Sequence, residues 1–502
     1  MRFYVTTPIY YVNDRPHIGH SYTTIAADIL ARHQRQRGVE TFFLTGVDEH
    51  ATKVWRAAEK QGLSAQEFVD RISETWRALP DRLNAETDFF LRTTDEGHRV
   101  FVREFLQKIF DNGDVYEDVY SGAYCVSCEE FKNDDELVDG KCPIHLTPVE
   151  HLEEKNYFFR LSKYQDALLA LYDEGFVLPE FRRNEMRSFV SGGLRDFSIS
   201  RAGQPWGIPL PWDETQVAYV WADALVNYLS ALTYARPGED LIDEFWPVAH
   251  HLVGKDIIRF HCVYWPAMLL SAGYPVPRQV FAHGWLLLDD VKISKSLGNA
   301  LDPFELIDTY GADAVRYWCT RAVSFGQDGS ASFADIAARY ERELGNDLGN
   351  LLSRTTAMIA KYRDGRIPDG TTSAAIASAI ADVADNVPAQ IDAFDLTGAI
   401  DRIWLLVREL NRYVTEQAPW TLAKDQANAA QLDQVLHDLA DGLRAAAVAL
   451  WAYLPETSPK ILVALGQSTG PSWDRVAADR LEPATIAAAA PLFPRIETVA
   501  DA

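Results

Sequence analysis

Two histidines near the N-terminus are the first side chains whose types and spacing could support chemistry. His17 and His20 flank Gly19 in a turn between an apolar, strand-like run and a helical pattern. Imidazoles at a helix start can donate hydrogen bonds to an anion that the helix dipole already favours, so the pair could hold the phosphates of a nucleotide. The alternative is that both histidines only cap the helix or fill a polar turn.

A stretch rich in lysine and serine in the second half of the chain offers complementary chemistry. Ammonium and hydroxyl groups are clustered there at Lys292, Ser294, Lys295 and Ser296. On a loop, such groups suit the charge that develops on a triphosphate during phosphoryl or adenylyl transfer. Asp302 as N-cap and Pro303 as the first helical residue predict a helix that anchors the far side of the loop. Taken alone, the stretch could equally be a solvated surface turn.

Two residue pairs between positions 120 and 150 have the spacing of a metal site. Each pair has two intervening residues, and together they supply the donors Cys125, Cys128, Cys142 and His145. This number, type and spacing of ligands is typical of a closed tetrahedral zinc site. Since no coordination position would stay open, we predict one structural Zn²⁺. The alternative is that these are ordinary thiols of an irregular loop.

The elements that must position these groups alternate along the first part of the chain. Residues 2–7 predict a buried strand, and the pattern from residue 21 to Gly38 predicts the helix after the histidine turn. Up to about residue 325, helical patterns alternate with further strand-like runs at 41–45, 248–253 and 279–283. This alternation predicts an α/β fold.

The second part of the chain has a different pattern. Helical apolar spacing runs through residues 336–361, 374–410 and 428–454, and the tail from Gly466 has only a weak pattern. We therefore expect an all-helical region after the sheet.

Composition limits the class of protein. The 502 residues are enough for about two to four domains. The net charge of −24 argues against non-specific binding to nucleic acid, although one basic face could still bind RNA, and the acidity could simply serve solubility. The chain has no apolar run long enough for a membrane span, no secretory leader and only five cysteines, so we expect a cytoplasmic protein that binds no membrane.

Taken together, the two motifs point to a family. His-Ile-Gly-His at 17–20 and Lys-Ile-Ser-Lys-Ser at 292–296, in this order, resemble the signature pair of the class I aminoacyl-tRNA synthetases. Longer strings across nearly the whole chain are similar to the methionyl-tRNA synthetases; they lie at 8–13, 45–50, 183–201, 219–225, 254–261 and 411–420.

The resemblance implies an ATP-dependent ligase that forms methionyl-adenylate and then charges tRNA(Met), including the initiator tRNA. In that family the matching histidines and lysines stabilise the transition state, which here implies the catalytic residues His17, His20, Lys292 and Lys295. ATP, with Mg²⁺, would contact these four residues together with Gly19, Gly254, Asp256 and Ser294.

The same resemblance implies a methionine pocket. Asp48 matches the carboxylate that receives the substrate ammonium, and Leu225 departs from members that have proline there. An unbranched thioether favours aromatic edges and apolar walls. The remaining pocket residues implied by the match are Ile9, Tyr11, Trp221, Tyr228, Ile257 and His261.

The resemblance also implies the domain order. We expect a Rossmann-type parallel-sheet domain that is split by a zinc-knuckle insertion and followed by an all-α helix-bundle anticodon-binding domain. The expected bounds are 1–113 for the first half of the sheet domain, 114–218 for the insertion, 219–330 for the second half, 331–480 for the bundle and 481–502 for the tail. Asn411 and Trp473 match anticodon positions. The chain ends without the OB-like domain by which some relatives dimerise, so we expect a monomer.

Three alternatives remain open. One is a class I synthetase for another small apolar amino acid, which the long string at 188–201 disfavours. A second is a catalytically silent tRNA-binding relative, although the histidines and lysines of both motifs are intact. The third is a zinc-organised RNA-binding or scaffolding protein, which would leave the lysine and serine loop without a purpose.

Overall fold

A computed structural model of the chain describes residues 1–126, 130–132, 137–143, 146–288, 291–292, 302–487 and 490–496. Its strands are β1 (Arg2–Tyr11), β2 (Glu40–Asp48), β3 (Phe89–Arg92), β4 (Val115–Cys125), β5 (Glu130–Lys132), β6 (Glu150–Phe159), β7 (Val177–Leu178), β8 (Phe197–Ser198), β9 (Ser200–Ala202), β10 (Gln216–Ala218), β11 (Ala249–Gly254), β12 (Gln279–His283), β13 (Leu286–Leu288), β14 (Val291–Lys292) and β15 (Gly329–Ala331).

The α-helices are α1 (Ile18–Gln36), α2 (Thr52–Lys60), α3 (Ala65–Arg82), α4 (Glu96–Asp111), α5 (Gln165–Asp173), α6 (Glu180–Ser191), α7 (Val220–Ala224), α8 (Asn227–Tyr234), α9 (Ile242–Phe245), α10 (Trp265–Ser271), α11 (Pro303–Tyr310), α12 (Ala312–Ala322), α13 (Phe333–Arg339), α14 (Asn350–Arg363), α15 (Ala374–Asp392), α16 (Leu396–Gln417), α17 (Pro419–Leu422), α18 (Ala429–Leu450) and α19 (Thr457–Ala464). Two π-helical stretches, Phe260–Tyr264 and Tyr340–Gly349, lie among them. None of the helices that the structure describes is long and apolar enough to cross a membrane.

A six-stranded sheet forms the centre of the N-terminal region, in the order β3-β2-β1-β11-β12-β7. Every neighbouring pair in it is parallel. Tyr4 and Val5 of β1 are fully buried, because a parallel sheet has helices on both faces and needs near-continuous apolar strands. The predicted α/β fold with a parallel sheet is confirmed. The carboxyl ends of β1, β2 and β11 therefore meet at one edge, where ligands bind in such sheets.

A second, antiparallel sheet lies between the two halves of the central sheet along the chain, in the order β5-β4-β6-β8. It falls within the range predicted for the insertion. The short strand β7 also falls within that range, yet it pairs with β12 at the edge of the central sheet. The domain bounds stay predictions.

The C-terminal region is helical, as expected, and its helices share a buried apolar core with α1 and α12. The helical spacing predicted over 374–410 corresponds to two helices, α15 and α16. Phe394 has a left-handed backbone with φ of 62°, which interrupts the helix, and the Asp395 side chain then accepts from the Gly398 N–H to start α16. The residues between 466 and 487 form few regular elements but return to the bundle, where the Ile486 N–H donates to the Gly365 carbonyl at 2.8 Å.

Candidate active site

Helix α1 begins at the histidine turn, three residues earlier than the pattern predicted. His17 is its N-cap and accepts from the Gly19 N–H through Nδ1 at 3.1 Å, while Nδ1 of His20 accepts from the His17 N–H at 3.1 Å. The two rings are 3.8 Å apart, and His20 also packs edge-on against Trp76 at 4.7 Å. A Cβ on Gly19 would lie 3.0 Å from Cε1 of His17, so glycine gives the ring its room. Capping and anion binding are thus compatible at this turn.

The lysine and serine loop lies mostly outside the described residues. The backbone of Lys292 ends β14 and pairs with Leu287 of β13. Its side chain, Ser294 and Lys295 fall outside the part of the chain that the structure describes. As predicted, Asp302 caps the helix that follows the loop, and its side chain accepts from the Phe304 N–H at 2.8 Å.

Gly254 and Asp256, the other predicted ATP residues, lie at the carboxyl end of β11. A Cβ on Gly254 would meet Oδ1 of Asp256 at 2.6 Å, so a larger residue there would displace the Asp256 side chain. Trp285 Nε1 donates to the same oxygen at 3.2 Å. Because β11 is the parallel neighbour of β1, this turn and the histidine turn lie at the same edge of the sheet.

One wall of the predicted methionine pocket comes from β1 and β2. Tyr11 and Asp48 are paired in register at the carboxyl ends of these strands, and Ile9 pairs with Gly46. Asp48 is only 2% exposed, and its Oδ1 accepts from the His50 N–H at 3.2 Å. A carboxylate that is buried beside a strand end in this way can receive a substrate ammonium in a site of low dielectric constant.

A second wall of the predicted pocket is aromatic. Trp221 of α7 stacks on Phe260 with ring centroids 3.9 Å apart and a 6° angle between the planes, and Tyr11 lies edge-on to Trp221 at 6.3 Å. Leu225, which caps α7, is 1% exposed, and Ile257 is partly buried against the same core.

A hydrogen-bonded pair completes that wall. The Tyr228 hydroxyl lies 2.8 Å from Nε2 of His261, and Nδ1 of His261 lies 3.0 Å from the Ile257 carbonyl. Burial lowers the pKa of His261 to about 4, so the ring is neutral at pH 7. A neutral ring that donates to the carbonyl through Nδ1 must accept from Tyr228 through Nε2, which fixes both side chains.

Sequence reasoning missed a buried polar group beneath this pocket. Asp223 accepts from His50 Nδ1 at 2.6 Å and from His98 Nε2 at 2.8 Å. Burial raises the pKa of Asp223, but the two imidazoles outweigh it and hold that pKa at about 2. His50 and Asp223 lie within the matched strings at 45–50 and 219–225, but nothing in the sequence pairs them with each other or with His98.

The predicted zinc ligands are described only in part. Cys125 and Cys142 are both fully buried, whereas Cys128 and His145 lie outside the described residues. Among the described residues there is no cluster of three or more potential metal ligands, and none of the four described cysteines is in a disulfide. The zinc site stays a prediction.

The two predicted anticodon residues lie in the helical region. Asn411 accepts from Arg354 Nη2 at 2.8 Å and donates to the Asp347 carbonyl at 2.8 Å. Trp473 is half-buried against α1, edge-on to His33 at 4.7 Å, and its Nε1 donates to the Ala384 carbonyl at 3.2 Å. Both side chains are therefore held in place by the protein, and their contact with tRNA stays a prediction.

The fold and the site define an α/β nucleotide-binding enzyme of the class I synthetase type. The family model described as tRNA synthetases class I (M) matches residues 3–151 and 145–356. A methionine–tRNA ligase of Streptomyces coelicolor is 45% identical over 521 residues, which cover 99% of this chain and 97% of the relative. One of Caldanaerobacter subterraneus subsp. tengcongensis is 44% identical over 503 residues, which cover 99% of this chain and 79% of the relative.

Solved structures of methionyl-tRNA synthetase also match this chain. Mycobacterium tuberculosis methionyl-tRNA synthetase in complex with methionyl-adenylate matches with a TM-score of 0.94 and 42% identity, and the match covers 99% of this chain and all of the other. Its apo form matches with a TM-score of 0.87 and 39% identity, and covers 99% of this chain and 98% of the other. The chain belongs to the methionyl-tRNA synthetase family.

Proposed function

We propose that this protein activates L-methionine with ATP and transfers the methionyl group to the 3'-terminal ribose of tRNA(Met). An oxygen of the methionine carboxylate attacks the α-phosphorus of ATP, the bond to the bridging oxygen breaks, and pyrophosphate leaves. A ribose hydroxyl of the tRNA then attacks the carbonyl carbon and displaces AMP. The observation that supports this proposal is that β1, β2 and β11 are parallel neighbours, so the histidine turn and the strand-end residues Tyr11 and Asp48 lie at one edge of the central sheet.

Methionine is held at two places. Asp48 receives the ammonium, because its buried carboxylate lies beside Tyr11 at the ends of β2 and β1. The thioether lies among Trp221, Tyr228 and His261, where sulfur–aromatic contacts contribute about 0.3–1.5 kcal/mol each. The remaining apolar contacts come from Ile9, Leu225 and Ile257.

ATP lies along the edge beside this pocket. His17 and His20 donate to its phosphates at the start of α1, where the helix dipole favours negative charge. Gly19 and Gly254 allow close backbone approach, and Asp256 lies beside the nucleotide. Lys292, Ser294 and Lys295 stabilise the charge that moves onto the leaving pyrophosphate. Mg²⁺, when bound with ATP, offsets the charge of the triphosphate.

The helical region serves the tRNA. Trp473 offers an aromatic face and Asn411 an amide for single-stranded anticodon bases, which proteins recognise by stacking and by hydrogen bonds to base edges. We propose that initiator and elongator tRNA are both substrates. The enzyme works as a monomer in the cytoplasm. Reducing conditions there keep its cysteine thiols reduced.

Cys125, Cys128, Cys142 and His145 are proposed to hold one structural Zn²⁺. The two of these ligands that the structure describes are buried thiols, which suit a soft metal donor set. Elemental analysis of protein purified without chelator is expected to find about one zinc per chain. Cys142→Ser should lose the metal and lower the melting temperature, while Cys262→Ser, which changes a buried thiol elsewhere, should keep it.

ATP–pyrophosphate exchange tests the function directly. Exchange is expected with methionine and to be far weaker with leucine, isoleucine, valine or cysteine at the same concentration. The comparison needs no tRNA, so it separates amino-acid activation from the transfer step. Exchange that does not depend on methionine would exclude the proposal.

A further inference from the structure

We propose that Asp223 is a positioning residue for methionine: through His50 it holds the Asp48 carboxylate where the substrate ammonium binds. The inference rests on the proposed function and deepens it, because it assigns part of the affinity for the amino-acid substrate to a buried group that does not contact it.

Asp223 is fully buried, and both of its carboxylate oxygens are engaged. Oδ2 accepts from His50 Nδ1 at 2.6 Å, and Oδ1 accepts from His98 Nε2 at 2.8 Å. His98 is in turn held by Ser230, whose Oγ lies 2.7 Å from Nδ1. A carboxylate that accepts one N–H at each oxygen fixes the positions of both rings.

His50 transmits this position to the ammonium site. Its side chain is tied to Asp223, while its backbone N–H donates to Oδ1 of Asp48 at 3.2 Å. A shift of the His50 ring therefore moves the donor that orients the Asp48 carboxylate. An error of about 1 Å in the position of a binding group is enough to weaken binding and catalysis strongly.

The residue between them is held from the other side. The Glu49 N–H donates to Thr93 Oγ1 at 2.9 Å, and Arg92 Nε donates to the Glu49 carboxylate at 2.8 Å. Trp206 Nε1 donates to the Glu49 carbonyl at 2.6 Å. Glu49 and His50 are thus each held by side chains from other segments, and at His50 one of these is Asp223.

The same carboxylate also ties the two walls of the pocket together. Asp223 lies on α7 between Trp221 and Leu225, whereas His50 follows β2. A single hydrogen bond of 2.6 Å therefore joins the aromatic wall to the ammonium wall. The positions of the two walls relative to each other therefore depend on this bond.

Asp223→Asn tests the inference. The amide can accept only at its oxygen and presents an NH₂ to the other imidazole, so only one of His50 and His98 can still donate to it, and the other ring must reverse its role or turn away. In methionine-dependent exchange the KM for methionine is expected to rise ~10-fold or more, while the KM for ATP stays within about twofold. His50→Gln should likewise raise the KM for methionine and leave the KM for ATP nearly unchanged. This second variant tests the inference if Asp223→Asn does not fold.

An analogue without the ammonium separates positioning from general damage to the pocket. 4-(Methylthio)butanoate, used as a competitive inhibitor, should bind wild type and Asp223→Asn with the same inhibition constant. Asp313→Asn is the matched control, because Asp313 is another buried carboxylate that accepts from the Thr457 N–H at 2.7 Å, away from this pocket. It should leave the KM for methionine unchanged.

The inference is wrong if Asp223→Asn and His50→Gln both keep the wild-type KM for methionine. It is also wrong if Asp223→Asn loses as much affinity for the analogue as for methionine, or if Asp313→Asn raises the KM for methionine in the same way. Wild-type protein that shows no methionine-dependent exchange would instead remove the proposed function, and this inference with it. The two failures are therefore distinguishable.

Discussion

At its start, helix α1 is held by two imidazoles at the edge of the central sheet, whereas its last two turns are buried against the C-terminal helices. His17 and His20 cap the first turn with their own ring nitrogens. At the other end, Gln36 Nε2 donates to the carbonyls of Val448 and Pro471, both at 2.8 Å. One helix therefore reaches from the histidine turn, where we propose that ATP binds, to the helical region.

The middle of the helix is attached through a buried ion pair. Asp28, fully buried, pairs with Arg316 at 2.7 Å and with Arg32 at 2.8 Å. Arg316 also donates to the carbonyls of Tyr453 and Ala452, which follow α18. We propose a division of roles along the helix: the first turn serves the chemistry, and the remainder anchors the helix to the helical region. The variants below separate the two parts.

The largest effect is expected for Arg316→Met. Removing one partner of a buried ion pair costs about 3–5 kcal/mol, because Asp28 loses a cation and several carbonyls lose a donor. Urea unfolding should show this loss, while exchange per folded molecule stays unchanged. Arg412→Met is the control, since Arg412 pairs with Glu416 on the exposed face of α16 and should not alter unfolding. A loss of exchange without a loss of stability would contradict the division.

His20→Ala is expected to act on the rate. Removing one donor that stabilises transition-state charge slows such reactions about 100- to 1,000-fold, or ~3–4 kcal/mol. Single-turnover formation of methionyl-adenylate should show this, with the KM for methionine nearly unchanged. Loss of the bond from the His17 N–H should lower stability by only about 1 kcal/mol. If the variant is less stable but forms methionyl-adenylate at the wild-type rate, His20 serves only to cap the helix.

The pH dependence of stability tests the burial of the last turns. Burial, aided by the charge of Arg37, lowers the pKa of His33 from 6.5 to about 4. Below pH 6.5 the unfolded chain takes up a proton that the folded protein resists. Between pH 7 and pH 5 this residue should therefore lower the free energy of unfolding by about 2 kcal/mol. Urea titrations at both pH values should show a smaller decrease in the free energy of unfolding for His33→Leu than for wild type. An equal decrease would mean that the C-terminal end of α1 is open to water.

The smallest effect is expected for Arg37→Ala. Arg37 is paired with Asp392 at 2.8 Å, but both side chains are partly exposed. Such pairs contribute about 0.2–1 kcal/mol, and salt screens them. Thermal unfolding at low and high salt should show a slight change that disappears at high salt. A large loss of thermal stability that does not depend on salt would mean that the Arg37–Asp392 pair also holds the helix as a buried pair does.

Local patterns predicted the elements well where residue types alone decide them. The run expected at 279–283 coincides with β12, because β-branched and aromatic residues there are followed by the turn residue Gly284. The helical spacing over 374–410 did not reveal the break at Phe394, because its apolar positions continue through that residue, whose backbone has a φ of 62°. Asp223, His50 and His98 come from three separate segments, so no local pattern could have joined them.

The pairing of β1 with β11 has a consequence for synthesis on the ribosome. Tyr4 meets Ala249, so one side of β1 has no partner until half of the chain has been made. At about 5–20 residues per second this interval lasts on the order of ten to fifty seconds. During that time the nascent sheet of β1, β2 and β3 exposes an apolar edge that other chains could extend. Ribosome-bound chains stopped before Ala249 should therefore be cut by protease within β1, and chains stopped beyond β12 should resist.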